Sequence, residues 1–177
     1  MDERKPRTNL DIIAEFAKEY PVDVIGAAQA IGVRVLFDDL PKGVSGKIQR
    51  SSDGSYYIVA NKHEAPARQR FTIAHELGHY MYHRSLIGDG IADSPAYRAP
   101  DETVYERTPL ERFHETQANQ FAANLLMPKK LIKKAESDNP GASVQEIAHL
   151  FKVSEDAMRI RKGLPTKQKA SVLASAN

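Results

Sequence analysis

The sequence predicts an α+β protein, a small three-stranded sheet packed on helices, and three features of the 177-residue chain predict it. Runs rich in β-branched and aromatic residues cluster between residues 33 and 60. Before and after them, apolar residues recur at the three-to-four spacing of amphipathic helices. Proline, glycine and an Asp-Gly turn signal punctuate the early segments.

Taken in order, Leu10–Tyr20 reads as a helix carrying Ile12, Ile13, Phe16 and Ala17 toward a core. Pro21, with φ preset for a first helical turn, opens a second helix to about Ile31, which Gly32 stops. Val33–Phe37, Gly46–Arg50 and Tyr56–Ala60 are the strands, the last two joined as a hairpin by Ser51-Ser52-Asp53-Gly54. From Pro66 through Tyr82 no further proline intervenes, and Phe71, Ile73, Ala74, Leu77, Tyr80 and Met81 mark a helix with a buried stripe. Ser85 to Pro109 has little periodicity, and a loop of that length inside a compact domain is either a mobile surface segment or functional. Its Tyr97, Arg98, Tyr105 and Arg107 are candidates to line a cleft. A further helix carries Ala118, Phe121, Ala122, Leu125 and Leu126 and closes at Pro128. Near the end, Ser143 caps a helix with Ile147, Ala148, Leu150 and Phe151, and Lys152-Val153-Ser154 turns into a second one with Ala157, Met158 and Ile160. Residues 143–162 thus have the outline of a helix-turn-helix within one domain spanning 1–165, and 166–177 read as a frayed tail.

His75-Glu76-Leu77-Gly78-His79 carries the chemistry. HExxH on a helix places two imidazoles one turn apart on one face, about 6 Å along the axis, where both reach one metal ion. Glu76 is rotated away from the pair, so it can act on water as a general base without taking a coordination position. Gly78 inside a helix costs about 1 kcal/mol relative to Ala, which implies close packing against its backbone.

A catalytic site needs a third protein ligand. The extended metzincin pattern fails, because Tyr82 and Ser85 stand where it requires Gly and His. His83 continues the four-residue spacing, but eight residues of helix put it about 12 Å from His75, too far for a shared ion. Glu115, 36 residues after His79, is better placed, with Asn119 one turn beyond it beside the buried stripe. This resembles the second helix of gluzincins, in which Glu completes the metal shell and a residue four positions on holds a ligand imidazole; Asn119 would then fix a histidine tautomer. A carboxylate near a helix N-terminus, favoured by the dipole alone, is the competing explanation of Glu115. For a group to steady the oxyanion of a hydrolysis, Tyr80, His83, Tyr105 and His114 are the candidates.

Three stretches carry a family likeness: Arg70 to His79, Glu115 to Pro128 with its Phe-Ala-Ala-x-Leu-Leu-Met-Pro run, and Val153 to Arg161. With a weaker match at Gly43-Val44-Ser45-Gly46 they identify the chain as similar to the ImmA/IrrE metallopeptidases. Gln117 departs from the pattern, where the family often has a second acidic residue, which leaves Glu115 as the acidic candidate for the third ligand. The resemblance implies a minimal zincin-like endopeptidase that cleaves helix-turn-helix repressors of the XRE type in a stress or mobile-element response. It also implies that an extended substrate adds to a sheet edge at Gly46–Arg50 or Tyr56–Ala60.

Composition bounds the rest. With 41% hydrophobic and 27% charged residues the chain is ordinary for a soluble globular protein, and no apolar run approaches the ~18 residues of a membrane span. No secretory segment follows Met1, so the expectation is a cytoplasmic protein without membrane contact. The absence of cysteine excludes disulfides, thiolate metal sites and Cys nucleophiles, leaving His and carboxylate ligands that suit Zn2+ and also admit Mn2+ or iron. Residues 1–128 hold 15 Lys/Arg against 18 Asp/Glu, and residues 129–177 hold 10 against 5. The basic end keeps an alternative open, a DNA-binding or toxin-antitoxin regulator that uses Arg159, Arg161 and Lys162 on phosphates, with a structural metal. Against it, Glu155 and Asp156 open the would-be recognition helix, and Lys152 stands where the turn usually takes Gly.

Overall fold

The computed structural model describes residues 6–87 and 109–167. Within them lie seven α-helices and three strands: α1 Asn9–Phe16, α2 Val24–Ala30, β1 Val33–Asp38, β2 Gly46–Arg50, β3 Tyr56–Asn61, α3 Pro66–Tyr82, α4 Pro109–Leu126, α5 Lys129–Asp138, α6 Val144–Phe151 and α7 Glu155–Arg161. The predicted α+β class and small three-stranded sheet are those observed. Tyr97, Arg98, Tyr105, Arg107 and nearly all of the 85–109 stretch and the tail lie outside the described residues.

The N-terminal helices differ from expectation at their junction. α1 ends at Phe16 rather than Tyr20, because the ring of Pro21 disfavours helical backbone at Tyr20, whose side chain instead stacks on Phe151 at 4.7 Å. α2 starts at Val24 rather than Pro21, since Asp23 supplies the cap by accepting the Gly26 N–H at 2.9 Å. Val22 is thereby free to enter the core, and its carbonyl accepts a hydrogen bond from Arg70 of α3 at 2.7 Å.

The sheet order is β1-β3-β2. β2 and β3 form the predicted antiparallel hairpin, with Ile48 opposite Ile58 and Gly54 at φ 83° in the turn. β1 pairs with β3 in parallel, Val33 opposite Tyr56, so β3 is the central strand. Of the two strands expected to offer an edge to substrate, only β2 is one, and it packs on α3: a Cβ at Gly46 would stand 2.3 Å from Thr72 Cγ2.

α3 has the predicted limits, with Pro66 in its first turn and residues Thr72 to Gly78 buried without a break. Its partner α4 begins six residues before Glu115, so Glu115 lies well inside the helix and a dipole effect at the N-terminus does not explain it. Gly78 meets α4 directly: a Cβ there would lie 3.0 Å from Ala118 Cα and 3.2 Å from Ala118 O, the close approach its presence implied. Pro128 ends α4 and at once begins α5, a helix not anticipated from the sequence.

Ser143 and Ser154 cap α6 and α7 as expected, and Lys152 adopts the left-handed turn conformation, φ 51°, that glycine ordinarily fills. Ile147, Ala148, Phe151, Val153 and Met158 join one hydrophobic core with Ile13, Ile48, Ile73 and Leu126, so the helix pair packs onto the body of the protein.

Candidate metal centre

α3 and α4 run antiparallel, and this brings the predicted ligands together. The Nε2 atoms of His75 and His79 are 3.0 Å apart, and Glu115 places one carboxylate oxygen 3.3 Å from the first and the other 3.2 Å from the second. Ligands about 2.0–2.1 Å from a tetrahedral ion stand roughly 3.3–3.4 Å from one another, so the three atoms have nearly the separation that one ion requires.

The hydrogen bonds behind the imidazoles decide which atoms carry protons. His75 Nδ1 is 2.9 Å from Asn119 Oδ1, an acceptor only, so Nδ1–H donates and Nε2 keeps its lone pair. His83 Nε2–H likewise donates to Gln117 Oε1 at 3.0 Å, leaving His83 Nδ1 to accept from His79 Nδ1–H at 3.0 Å. His79 Nε2 therefore also presents a lone pair. Burial lowers the pKa of His83, partly offset by its bond to Gln117, which favours the neutral ring this relay needs.

Two lone pairs and a carboxylate converge on one point. Burial opposes ionisation of Glu115, but in the ion-free site protonated His75 and His79 donate to it and hold the carboxyl far below the usual carboxylate range, a charge that the ion supplies once both Nε2 atoms give up their protons. Such a pocket calls for positive charge. Two imidazolium rings in contact would repel each other, whereas one divalent cation satisfies all three donors. The donor set, two His and one Glu with no thiolate, fits a catalytic rather than a structural zinc-type site.

Glu76 lies beside the pair with its side chain fully buried, 0% exposed. Of the other sequence candidates, His83 meets Nδ1 of His79 rather than its Nε2, and His114 places its ring 4.4 Å from that of His83. Tyr80 turns the other way, edge-on to Tyr56 at 5.1 Å with its hydroxyl accepting from Arg84 at 2.5 Å. Tyr105 is outside the described residues. Gln117 was legible only as a departure from a pattern; its function as the terminus of the His79–His83 relay needed the fold.

An HExxH helix, a Glu from an antiparallel neighbour and amide oxygens behind the histidine system define a metallopeptidase type of site. Comparison with known proteins agrees: the profile of the peptidase M78 family, the IrrE N-terminal-like domain, matches residues 28–162, and the chain belongs to that family. The radiation response metalloprotease IrrE of Deinococcus radiodurans is 38% identical over 99 residues, which cover 55% of this chain and 27% of that protein. Metallopeptidase ImmA of Bacillus subtilis is 28% identical over 121 residues, 68% of this chain and 63% of its own length. The matched region thus spans about a quarter of the IrrE relative and under two thirds of ImmA. A Mycobacterium tuberculosis transcriptional regulator shares the fold, with a TM-score of 0.55 at 18% identity over 88% of this chain and 46% of that one. Among the described residues, no helix is long and apolar enough to cross a membrane.

Proposed function

We propose that the chain is a zinc endopeptidase in which His75, His79 and Glu115 hold the ion and Glu76 is the general base. The observation that carries this reading is the convergence of two imidazole lone pairs and a carboxylate beside a buried glutamate. A bound ion of the zinc class supplies Lewis acidity that activates water and polarises the scissile carbonyl. Glu76 accepts a proton from the water as its oxygen adds to the carbonyl carbon, then delivers that proton to the amine as the C–N bond breaks. Asn119 and the His83–Gln117 pair keep the two ligand rings in one tautomer and orientation. Of the candidates for steadying the oxyanion, Tyr80 is engaged by Arg84 and His114 packs on His83, the ring behind His79.

Substrate enters as an extended strand along the outer side of β2. Ser51 N donates to Ser55 O and Asn61 N to Ser45 O, both at 2.8 Å, so the antiparallel alternation turns the Ile48 N–H away from β3. The family resemblance supports an XRE-type helix-turn-helix repressor as the protein cut, in a cytoplasmic regulatory response. Direct DNA binding by residues 143–162 has less support. Arg159 bonds Glu155 at 2.9 Å, Arg161 donates to the Met127 carbonyl at 2.9 Å, and Lys162 pairs with Glu136 at 2.6 Å, so all three proposed phosphate contacts have partners within the protein.

The test is incubation of the zinc-loaded chain with the XRE-type repressor encoded nearest its gene, beside Glu76→Gln at equal zinc content. A discrete product from the wild type and none from Glu76→Gln is expected. Equal cleavage by the two forms would remove Glu76 from the mechanism, and cleavage by neither would favour a metal-binding scaffold.

A further inference from the structure

The seam between α3 and α4 continues past His75 toward the start of α3 and the end of α4. Along α3, Phe71 is one turn and Arg68 two turns before His75 on the same face, and along α4 the corresponding series after Glu115 is Asn119 and Ala123, with Met127 just past its end. Here lies a cavity of about 620 Å³, within the ~300–1,000 Å³ typical of ligand pockets. Its lining is mainly apolar: Phe71, Ala123 and Met127 on one side, Val153, Ala157 and Ile160 of the α7 segment on the other. Asn119 lines it as well, and the same Asn119 holds His75 at 2.9 Å, so cavity and metal centre share a wall. Arg68, also in the lining, donates to Ser45 Oγ at 3.1 Å, next to the first residue of β2. Arg68 thus links the cavity lining to the start of β2.

We infer that this cavity is the specificity pocket of the peptidase, and that it takes a large apolar side chain, of the Leu, Ile, Met or Phe kind, from the polypeptide being cut. The inference rests on the endopeptidase reading and deepens it. Phe71 and Arg68 are about 6 Å and 10 Å along the helix from His75, and an extended chain advances about 3.3 Å per residue. The residue it selects thus lies within two or three positions of the scissile bond. Ile160 is 65% exposed, a large apolar side chain facing an apolar cavity that is open among the described residues. The helix-turn-helix outline then has a purpose other than DNA: Ala157 and Ile160 of α7 form a wall of the substrate site.

The experiment digests a proteome-derived peptide pool with the zinc-loaded wild type, with Ala123→Phe, which fills the cavity, and with Ile160→Asp, which charges its wall at an exposed position. Wild-type cut sites should be enriched about tenfold or more in large apolar residues at one position within three of the cut, the selectivity expected from burying one such side chain. Either variant that melts cooperatively should lose that enrichment. Unchanged enrichment in both would overturn the inference. If the wild type cuts nothing, the endopeptidase reading fails, and the cavity is judged by calorimetry instead. Two leucyl-leucine hydroxamates, with the metal-binding group at one end or the other, are compared with acetohydroxamate on the zinc-loaded chain. At least one should bind about tenfold tighter than acetohydroxamate, with the ratio falling toward one in Ile160→Asp. Equal affinities, or a ratio that Ile160→Asp leaves unchanged, would refute the pocket.

Discussion

Replacing Gly78 by alanine tests the packing that sets the metal geometry. In an exposed helix the change would stabilise by about 0.8–1 kcal/mol, the propensity difference between the two residues. Here the new methyl carbon would lie 3.0 Å from Ala118 Cα, 3.2 Å from Ala118 O and 3.2 Å from Phe121 Cβ. Two of those atoms are backbone of α4 and have no rotamer to yield, so α3 and α4 must part by roughly 0.5 Å to recover ordinary carbon contacts near 3.5 Å. Overpacking of this kind costs about 1–3 kcal/mol, and the net is a destabilisation of about 0–2 kcal/mol. For a protein of this size that corresponds to a Tm lower by up to roughly 8 °C. Because Glu115 is one turn from Ala118 on the displaced helix, its carboxylate moves with it, and a site that tolerates only about 0.5 Å of error should lose about tenfold in zinc affinity. Thermal melts with chelator and with zinc, and a competition titration against a zinc indicator, give both numbers. A Gly78→Ala protein that is about 1 kcal/mol more stable and binds zinc like the wild type would refute the close approach.

Three further outcomes follow from the same geometry. Glu115→Ala should lose substantial zinc affinity while still unfolding cooperatively; full zinc occupancy by elemental analysis in that variant would exclude Glu115 as a ligand. His83→Phe leaves His79 Nδ1–H without its acceptor and should weaken zinc about 10–100-fold, with partial recovery in His83→Gln, whereas unaltered affinity would show that the relay does not orient His79. Ile48→Pro deletes a donor on the outer side of β2 and should raise KM for a cleaved peptide, with circular dichroism and zinc content as controls; normal cleavage by a folded, zinc-replete variant would count against strand addition.

How much was legible depended on whether the information was local. Pro66 and the three-to-four apolar spacing fixed α3 to its observed limits, and the Ser51–Gly54 turn announced the β2–β3 hairpin. The parallel pairing of β1 with β3 was not legible, because no local signal names a strand's partner, and the choice of edge between β2 and β3 stayed open for that reason. The junction near Pro21 was misplaced because proline suits a first helical turn and a turn before it equally well, and Asp23, the actual cap, lies two residues on. His75 and His79 stand in one pentapeptide and Glu115 on a helix readable from its apolar spacing, and the fold brings these three together. The spacing puts His83 too far from His75 to share an ion, but its bond to Gln117 crosses between helices and emerges only when α3 and α4 are docked. The cavity draws its walls from α3, α4 and the α7 segment, far apart in the chain, so no window of sequence contained it.

A crystal structure of the zinc-loaded chain, with anomalous diffraction measured across the zinc edge, tests the His75–His79–Glu115 site most directly. One strong peak per chain is expected, about 2.0–2.2 Å from His75 Nε2, His79 Nε2 and a carboxylate oxygen of Glu115. A peak held by other residues, or none between α3 and α4 at full zinc loading, would contradict this assignment.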